Sequence, residues 1–443
     1  MSPDRQPRAS ERNARARAVR KEPVPLQRQA PSTRRPEHRD DRSTAVSDRL
    51  IAHLCGLTLE NPFLLAASPS TDELEIVSRG LEAGWAGAVL KTTTVPETRV
   101  SLANPLMTSL DHGARRLIGM GNIDLISVYP VAVVADRVRT LKRRFPQKIV
   151  IASIMGSDRT QWQTLVRQLE EAGADMIECS FSCPQGSMGE NPGRMLAQSV
   201  SATERVAGWV ASAARDVPVA IKITPQVTDI VEVAHALERS GVNAISAANS
   251  MPSLMGIDLD TFVPYPSLGN RSTYSGLTGP AIKPITLRTI AEIARHVSLP
   301  ILGTGGASSW RDAVEFMLAG ASVVQYCTAV MQHGFGIIDD LTGGLARFLE
   351  QKQLSTPAAL VGAALPHIVA HDELPRRAVR SRVNESACVH CGRCYVACRD
   401  GGHAAITWTP DQPPRIDPAR CTGCGLCLLV KPVADCLALE VHD

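Results

Sequence analysis

Three things are missing from this 443-residue sequence. No apolar run approaches the ~20 residues a helix needs to cross a bilayer. No G-x-G-x-x-G follows a first strand with an acidic residue ~20 positions further on, so the nicotinamide-dinucleotide fingerprint is absent. The N-terminal arm lacks the apolar core of about 7–15 residues that makes a secretory signal. That arm, residues 1–46, holds eleven Arg and one Lys against six acids, a net charge of +6, while the whole chain carries +3. Arg, Pro and Ser dominate it without apolar periodicity, which predicts a disordered, solvated basic arm with no nucleic-acid role. Its acids count against a transit peptide.

What is present is concentrated at the other end. Eight of the 12 cysteines follow residue 387. Cys388, Cys391, Cys394 and Cys398 keep the spacing C-x2-C-x2-C-x3-C. Cys421, Cys424 and Cys427 repeat it, with Lys431 in the fourth place and Pro432 fixing the alignment. A zinc ribbon uses pairs of C-x-x-C; three closely spaced thiols followed by a fourth are the ferredoxin pattern for iron–sulfur clusters. In two-cluster ferredoxins the fourth cysteine of each run ligates the other cluster. Cys398 then completes Cys421, Cys424 and Cys427, and the set of Cys388, Cys391 and Cys394 meets Lys431. An ammonium offers no lone pair, and its reference pKa of ~10.4 opposes deprotonation. The nearest spare thiol, Cys436, is five residues on, and on a helix residues five apart do not share a face. One complete four-iron cluster and one three-iron or labile four-iron centre are expected, with ligation by Cys436 as the lesser alternative. Cysteines clustered at ligand spacing fit a reducing compartment, so a cytoplasmic protein is expected.

From about residue 50, short apolar runs alternate with amphipathic stretches. Strands are predicted at 62–67, 86–91, 148–154, 175–181, 218–223, 243–248, 300–304 and 322–326. Helices are predicted at 72–83, 133–144, 159–172, 200–214, 228–240, 279–296, 309–319 and 334–350. Continuous apolar strands buried on both faces, eight in number, predict an α/β fold of the (β/α)8 barrel type over residues 47–351. A doubly wound sheet usually has fewer strands. Residues 352–386 lack a clear period and read as a linker, followed by a ferredoxin-type domain at 387–443.

In such a barrel, function sits where strands end. Lys91, Ser180, Ser182, Cys183, Lys222, Asn249, Ser250, Thr304, Cys327 and Thr328 all fall at those ends. Gly303–Gly306 after the seventh strand offers backbone N–H groups to a phosphate, as the nucleotide FMN would require. Gly276 and Gly279 precede the sixth helix, where a backbone can approach a ligand closely. Lys91 and Lys222 could balance negative charge on a reduced flavin. Asn122, Asn249 and Ser250 suit a small heterocycle or amide. Cys183 stands before Pro184 and a stretch carrying Gly186, Gly189 and Gly193, which reads as a lid with a thiol at its base. A thiol of ordinary pKa ~8.5 can serve as general acid or base. Cys179, inside the strand, reads as a small buried hydrophobe.

From residue 50 on, the chain resembles the FMN- and iron–sulfur-bearing subunit of bacterial dihydropyrimidine dehydrogenases. The stretches 61–71 (NPFLLAASPST), 121–127 (GNIDLIS), 181–186 (FSCPQG), 221–230 (IKITPQVTDI), 273–288 (TYSGLTGPAIKPITLR) and 302–310 (LGTGGASSW) carry it, with the cysteine runs. The barrel alone is similar to dihydroorotate dehydrogenases. The resemblance implies FMN contacts at Ala67, Ser68, Lys91, Thr92, Lys222, Gly276, Thr304, Gly305, Gly306, Cys327 and Thr328. It implies a pyrimidine at Asn122, Ser182, Asn249 and Ser250, and Cys183 exchanging a proton at ring C5 while a hydride moves at C6. Electrons would come from NADH through a partner subunit carrying FAD, in a hetero-oligomer. Ser180 stands where the family pattern has Asn, which predicts an altered choice of pyrimidine. The rival readings are oxidation of dihydroorotate or reduction of another cyclic amide, and an electron-relay subunit that turns over nothing itself. A relay has no use for Cys183.

Overall fold

The structure is a computed structural model that describes residues 49–97, 102, 104–112, 116–182 and 195–442. The basic arm, Cys183 and the glycine-bearing stretch after it lie outside the described residues.

All eight expected strands form, and they close into one parallel barrel. They are β1 (Phe63–Leu65), β2 (Gly87–Val89), β3 (Ile149–Ile154), β4 (Met176–Ser180), β5 (Val219–Lys222), β6 (Ala244–Ala247), β7 (Ile301–Thr304) and β8 (Ala321–Tyr326). Neighbours in sequence are neighbours in space, and β8 returns to β1 through Val324↔Phe63 and Tyr326↔Leu65. The helices lie within a few residues of expectation: α1 (Leu74–Glu82), α2 (Val131–Arg144), α3 (Arg159–Glu171), α4 (Val200–Ala211), α5 (Ile230–Arg239), α6 (Lys283–His296), α7 (Trp310–Leu318), then a short α8 (Thr328–His333) and α9 (Ile337–Gln351). Each buries one stripe. In α2 the stripe is Val131, Val134, Ala135, Val138 and Leu141, the spacing of a 3.6-residue turn. Full burial of a side chain of that size contributes ~1.5–3 kcal/mol. Starts are capped by side chains: Asp158 accepts from Gln161 N at 2.9 Å, and Asp229 from Val231 N at 2.8 Å.

Strand side chains alternate between two faces. One parity builds the layer between sheet and helices, with Phe63, Leu65, Val150, Ile177 and Ile221. The other fills the barrel interior with Leu64, Val89, Ile151, Met176, Ala220, Ala244, Leu302 and Val323. An antiparallel hairpin, Ala52–Leu54 with Leu57–Leu59, packs Leu54 and Leu59 into that interior cluster. One step of the same parity toward the strand C-termini changes the chemistry. The next inward positions are Lys91, Ser153, Glu178, Lys222, Ser246, Thr304 and Gln325, all buried. The interior is thus apolar in one layer and polar in the next, and the polar layer floors the site.

Two features were not foreseen. Residues Met251–Ser253, Ser275–Thr278, Arg116–Asn122 and Met107–His112 form a four-stranded antiparallel sheet. The stretch expected to be a linker also carries structure. A short 3-10 helix, Pro357–Leu360, buries Leu360, and Gly362 N donates to Met317 O at 2.9 Å. Further on, Ala378–Val383 pairs along its length with Leu437–His442, so the cysteine-bearing lobe begins before residue 387. Residues 431–436 form turns, not the helix considered for them.

Candidate active site

A cavity of about 500 Å³ opens at the C-terminal end of the barrel. That size lies within the ~300–1,000 Å³ usual for small-molecule sites. Ala67, Ser68, Lys91, Thr92, Lys222, Gly276 and Cys327 line it together with Asn122, Ser182, Asn249 and Ser250. A smaller cavity, about 50 Å³, is walled by Thr304, Gly305, Gly306, Cys327 and Thr328, and it shares Ala67, Lys222, Asn249 and Ser250 with the larger one. The structure therefore brings every expected cofactor and substrate residue to two adjoining hollows. Cys183 follows Ser182 in the sequence but lies outside the described residues.

The extra antiparallel sheet delivers Asn122. Its strand pairs Asn122 with Gly276, and Asn122 Nδ2 donates to Gly276 O at 2.9 Å. A Cβ at Gly276 would stand 2.5 Å from Ser250 Oγ, so no larger residue fits there without displacement. Across the cavity, Asn249 Nδ2 donates to Ser182 Oγ at 2.7 Å, and Asn249 Oδ1 accepts from Ser250 N at 2.9 Å. Ser180 is buried and lines the same cavity.

Neither lysine stands alone. Lys91 Nζ meets Asp124 Oδ1 at 3.0 Å, both nearly buried. Burial pushes the Asp124 carboxyl up, and the Lys91 ammonium only partly offsets this. Lys222 Nζ stands 3.4 Å from Oε1 of Glu178, which is 0% exposed. Gln325 Nε2 donates to the other Glu178 oxygen at 2.8 Å. The two cations of the cavity are thus balanced by two carboxylates. Asp124, Glu178 and Gln325 escaped the reading of the sequence. Glu178 and Gln325 had a signal: each is the polar exception inside an apolar strand, and a charge buried there must have a partner.

The residues fit a phosphate-bearing flavin. Gly305 and Gly306 have φ +106° and +99°, and a Cβ at Gly306 would lie 2.6 Å from Lys283 N, so backbone alone can occupy this wall. Behind it, Asp312 accepts from Ser308 N and Ser309 N at 2.9 Å each, and from Lys283 Nζ at 2.6 Å, which pins the glycine loop. Gln325 Oε1, in the residue walling the smaller cavity, has no hydrogen-bond partner among the described residues. Burial pushes the Cys327 thiol up, so it presents a neutral S–H.

In the cysteine-bearing lobe, Cys388, Cys391 and Cys394 share a small cavity with Lys431 and Cys436. Burial pushes the Cys394 thiol up to about 11, with Cys427, Cys391 and Cys388 adding to the rise. Cys427 is raised by burial, opposed by a hydrogen bond with Ser381, and raised further by Cys424, Cys421 and Cys398. Cys398 adds to the rise at Cys427, and Cys427 to the rise at Cys394, so thiols of the two runs lie near one another. Among the described residues no three His, Cys, Asp or Glu side chains converge tightly enough for a single metal ion. Cys388, Cys391, Cys394 and Cys436 instead line one pocket, an arrangement that suits a cluster several atoms across.

A barrel with a polar cofactor cavity, joined to a lobe of ferredoxin-type cysteine runs, defines an oxidoreductase with flavin and iron–sulfur centres. The dihydroorotate dehydrogenase family profile matches residues 49–349, and a 4Fe-4S dicluster domain matches 381–439. The chain belongs to the dihydroorotate dehydrogenase family. It is 38% identical over 365 residues to the NAD-dependent dihydropyrimidine dehydrogenase subunit PreA of Escherichia coli, covering 80% of this chain and 86% of that one. It is 33% identical over 334 residues to a chloroplastic dihydropyrimidine dehydrogenase (NADP(+)) of Arabidopsis thaliana, covering 73% and 78%. It is 33% identical over 311 residues to the catalytic subunit of dihydroorotate dehydrogenase B (NAD(+)) of Methanothermobacter thermautotrophicus, covering 70% and 97%. No helix among the described residues is long and apolar enough to cross a membrane.

Proposed function

We propose that this chain reduces the 5,6 double bond of a neutral pyrimidine such as uracil or thymine, as one subunit of a larger enzyme. The observation that carries the reading is the balanced charge of the cavity. Its two cations, Lys91 and Lys222, already face Asp124 and Glu178. A neutral ring asks only for hydrogen bonds, which Asn122, Asn249, Ser182 and Ser250 can give. Dihydroorotate carries a carboxylate, and burying it beside two compensated pairs would leave it without a counter-ion. A neutral ring of the uracil class therefore suits the cavity better than dihydroorotate.

FMN, held by Ser68, Lys91, Lys222 and Gly276 around its ring and by Thr304, Gly305, Gly306 and Thr328 at its phosphate, would supply two-electron chemistry to the pyrimidine. Asn122 and Asn249 orient the ring amides. The thiol of Cys183, directly after Ser182, donates the proton at C5. The chain has no dinucleotide fingerprint, so electrons from NADH enter through a partner flavoprotein with FAD and pass along the iron–sulfur lobe.

Dithionite-reduced protein, incubated without oxygen with uracil, thymine and orotate, tests this. Dihydrouracil or dihydrothymine is the expected product. Turnover of orotate alone would move the assignment to dihydroorotate, and turnover of none would leave the relay reading. NADH added without a partner should leave the flavin oxidised; stoichiometric bleaching would show a dinucleotide site in this chain. Ser180→Asn should tighten uracil binding, because the shorter serine leaves a ring polar group poorly matched, at a cost of ~1–3 kcal/mol. Unchanged affinity in that variant would make the substitution silent.

A further inference from the structure

We infer that Cys436 is the fourth ligand of the cluster held by Cys388, Cys391 and Cys394, in place of Lys431. The inference rests on the iron–sulfur reading of the lobe and goes beyond it.

The three thiols of the first run, Lys431 and Cys436 line one cavity. The crossing pattern of two-cluster ferredoxins assigns Cys398 to the other set, with Cys421, Cys424 and Cys427. Four-iron clusters in two-cluster ferredoxins take four thiolates, the fourth from the other run. Here that place is Lys431, and its ammonium is already engaged, with Nζ donating to Leu437 O at 2.9 Å. It presents protons, not a lone pair.

On a helix, Cys436 would point away from position 431. The chain does not form one. Residues 432–435 turn, and the strand Leu437–His442 begins directly after Cys436. The turn returns Cys436 to the cavity that Lys431 lines. Cys436 is 6% exposed, and its thiol makes one hydrogen bond, to Val433 O at 3.2 Å. Among the described residues it is the one thiol on that wall outside both C-x2-C-x2-C runs. The sequence Lys-Pro-Val-Ala-Asp-Cys thus moves the ligand five positions along and lets a turn make up the distance. Ligation exchanges the Cys436 S–H bond for an Sγ–Fe bond with no change of oxidation state, and the proton leaves to solvent.

The test is iron and sulfide analysis with Mössbauer and EPR spectroscopy on the full chain, purified without oxygen. Two four-iron clusters are expected, about eight iron atoms per chain. Cys436→Ser, nearly isosteric, should lose one cluster or convert it to a three-iron centre, and Cys436→Ser with Lys431→Cys should restore it. A native chain with one four-iron and one three-iron centre would overturn the inference. So would Cys436→Ser protein in which both clusters keep native spectra. A chain that takes up no iron under reconstitution would instead remove the iron–sulfur reading itself.

Discussion

The barrel and the cysteine-bearing lobe stabilise their folds in opposite ways. The barrel buries two large apolar clusters, one between sheet and helices and one inside the sheet, and then sets its polar layer on top. Its site residues are guests on a framework that stands without them. The lobe has five buried residues in its core, and three of these are the thiols Cys394, Cys427 and Cys436. Its thiols are its core. A small domain with so little apolar area needs cross-links or metals to fold. Chemistry can therefore vary at the barrel mouth without loss of fold, while a lost thiol in the lobe removes structure and function together. A second thiol one turn away from a missing ligand is valuable in such a lobe.

The sharpest way to break this comparison is to remove the iron. Metal-nucleated small domains owe ~10–16 kcal/mol to their metal in the zinc case, and the lobe should behave likewise. After chelation, limited proteolysis should digest residues from about Ala378 onward and leave the barrel whole. Equal resistance of the lobe with and without iron would show that its apolar contacts suffice. In the barrel, by contrast, Cys183→Ala should slow turnover by ~10²–10⁴-fold while flavin stays bound. Normal turnover would exclude the thiol as proton donor, and lost flavin would make it structural.

Smaller effects separate framework from site within the barrel. Asp312 sits behind the Gly305–Gly306 loop. Burial would raise its carboxyl, but Lys283, Ser308 and Ser309 hold it below the usual range. Its folded pKa is depressed, so its contribution is present above the unfolded value of ~3.9 and disappears as pH falls through that value toward the folded one. Asp312→Ala should cost ~1–3 kcal/mol at neutral pH, weaken flavin retention, and flatten the acid limb of the stability profile. An unchanged acid limb would place the pH dependence elsewhere. The smallest effect is electrostatic. Glu178→Gln keeps the Gln325 hydrogen-bonding neighbour but leaves Lys222 uncompensated, so the flavin potential should rise. A potential that falls would mean that Lys222 does not reach the ring.

The contrast also explains what was legible in the sequence. The eight strands are buried on both faces, so each reads as an apolar run, and every strand end followed from its strand. The cysteine spacing encoded the lobe directly. The four-stranded sheet that carries Asn122 was not legible. Arg116–Asn122 mixes Gly with polar and apolar residues, and it is held by pairing with Ser275–Thr278, far away in sequence. The pairing of Ala378–Val383 with Leu437–His442 hid for the same reason: its strands are half-exposed and distant. The place of Cys436 depended on the turn after Pro432, and periodicity says nothing about a turn of that kind. Glu178 and Gln325 were legible in principle, through the parity that sets Met176 and Val323 in the interior.

Single-turnover mixing tests the central claim most directly. Fully reduced chain is mixed with uracil or with orotate in the absence of oxygen, and flavin reoxidation is followed together with product. The account predicts rapid reoxidation by uracil with dihydrouracil formed in step, and none by orotate on the same timescale. Rapid reoxidation by orotate with uracil inert would contradict it.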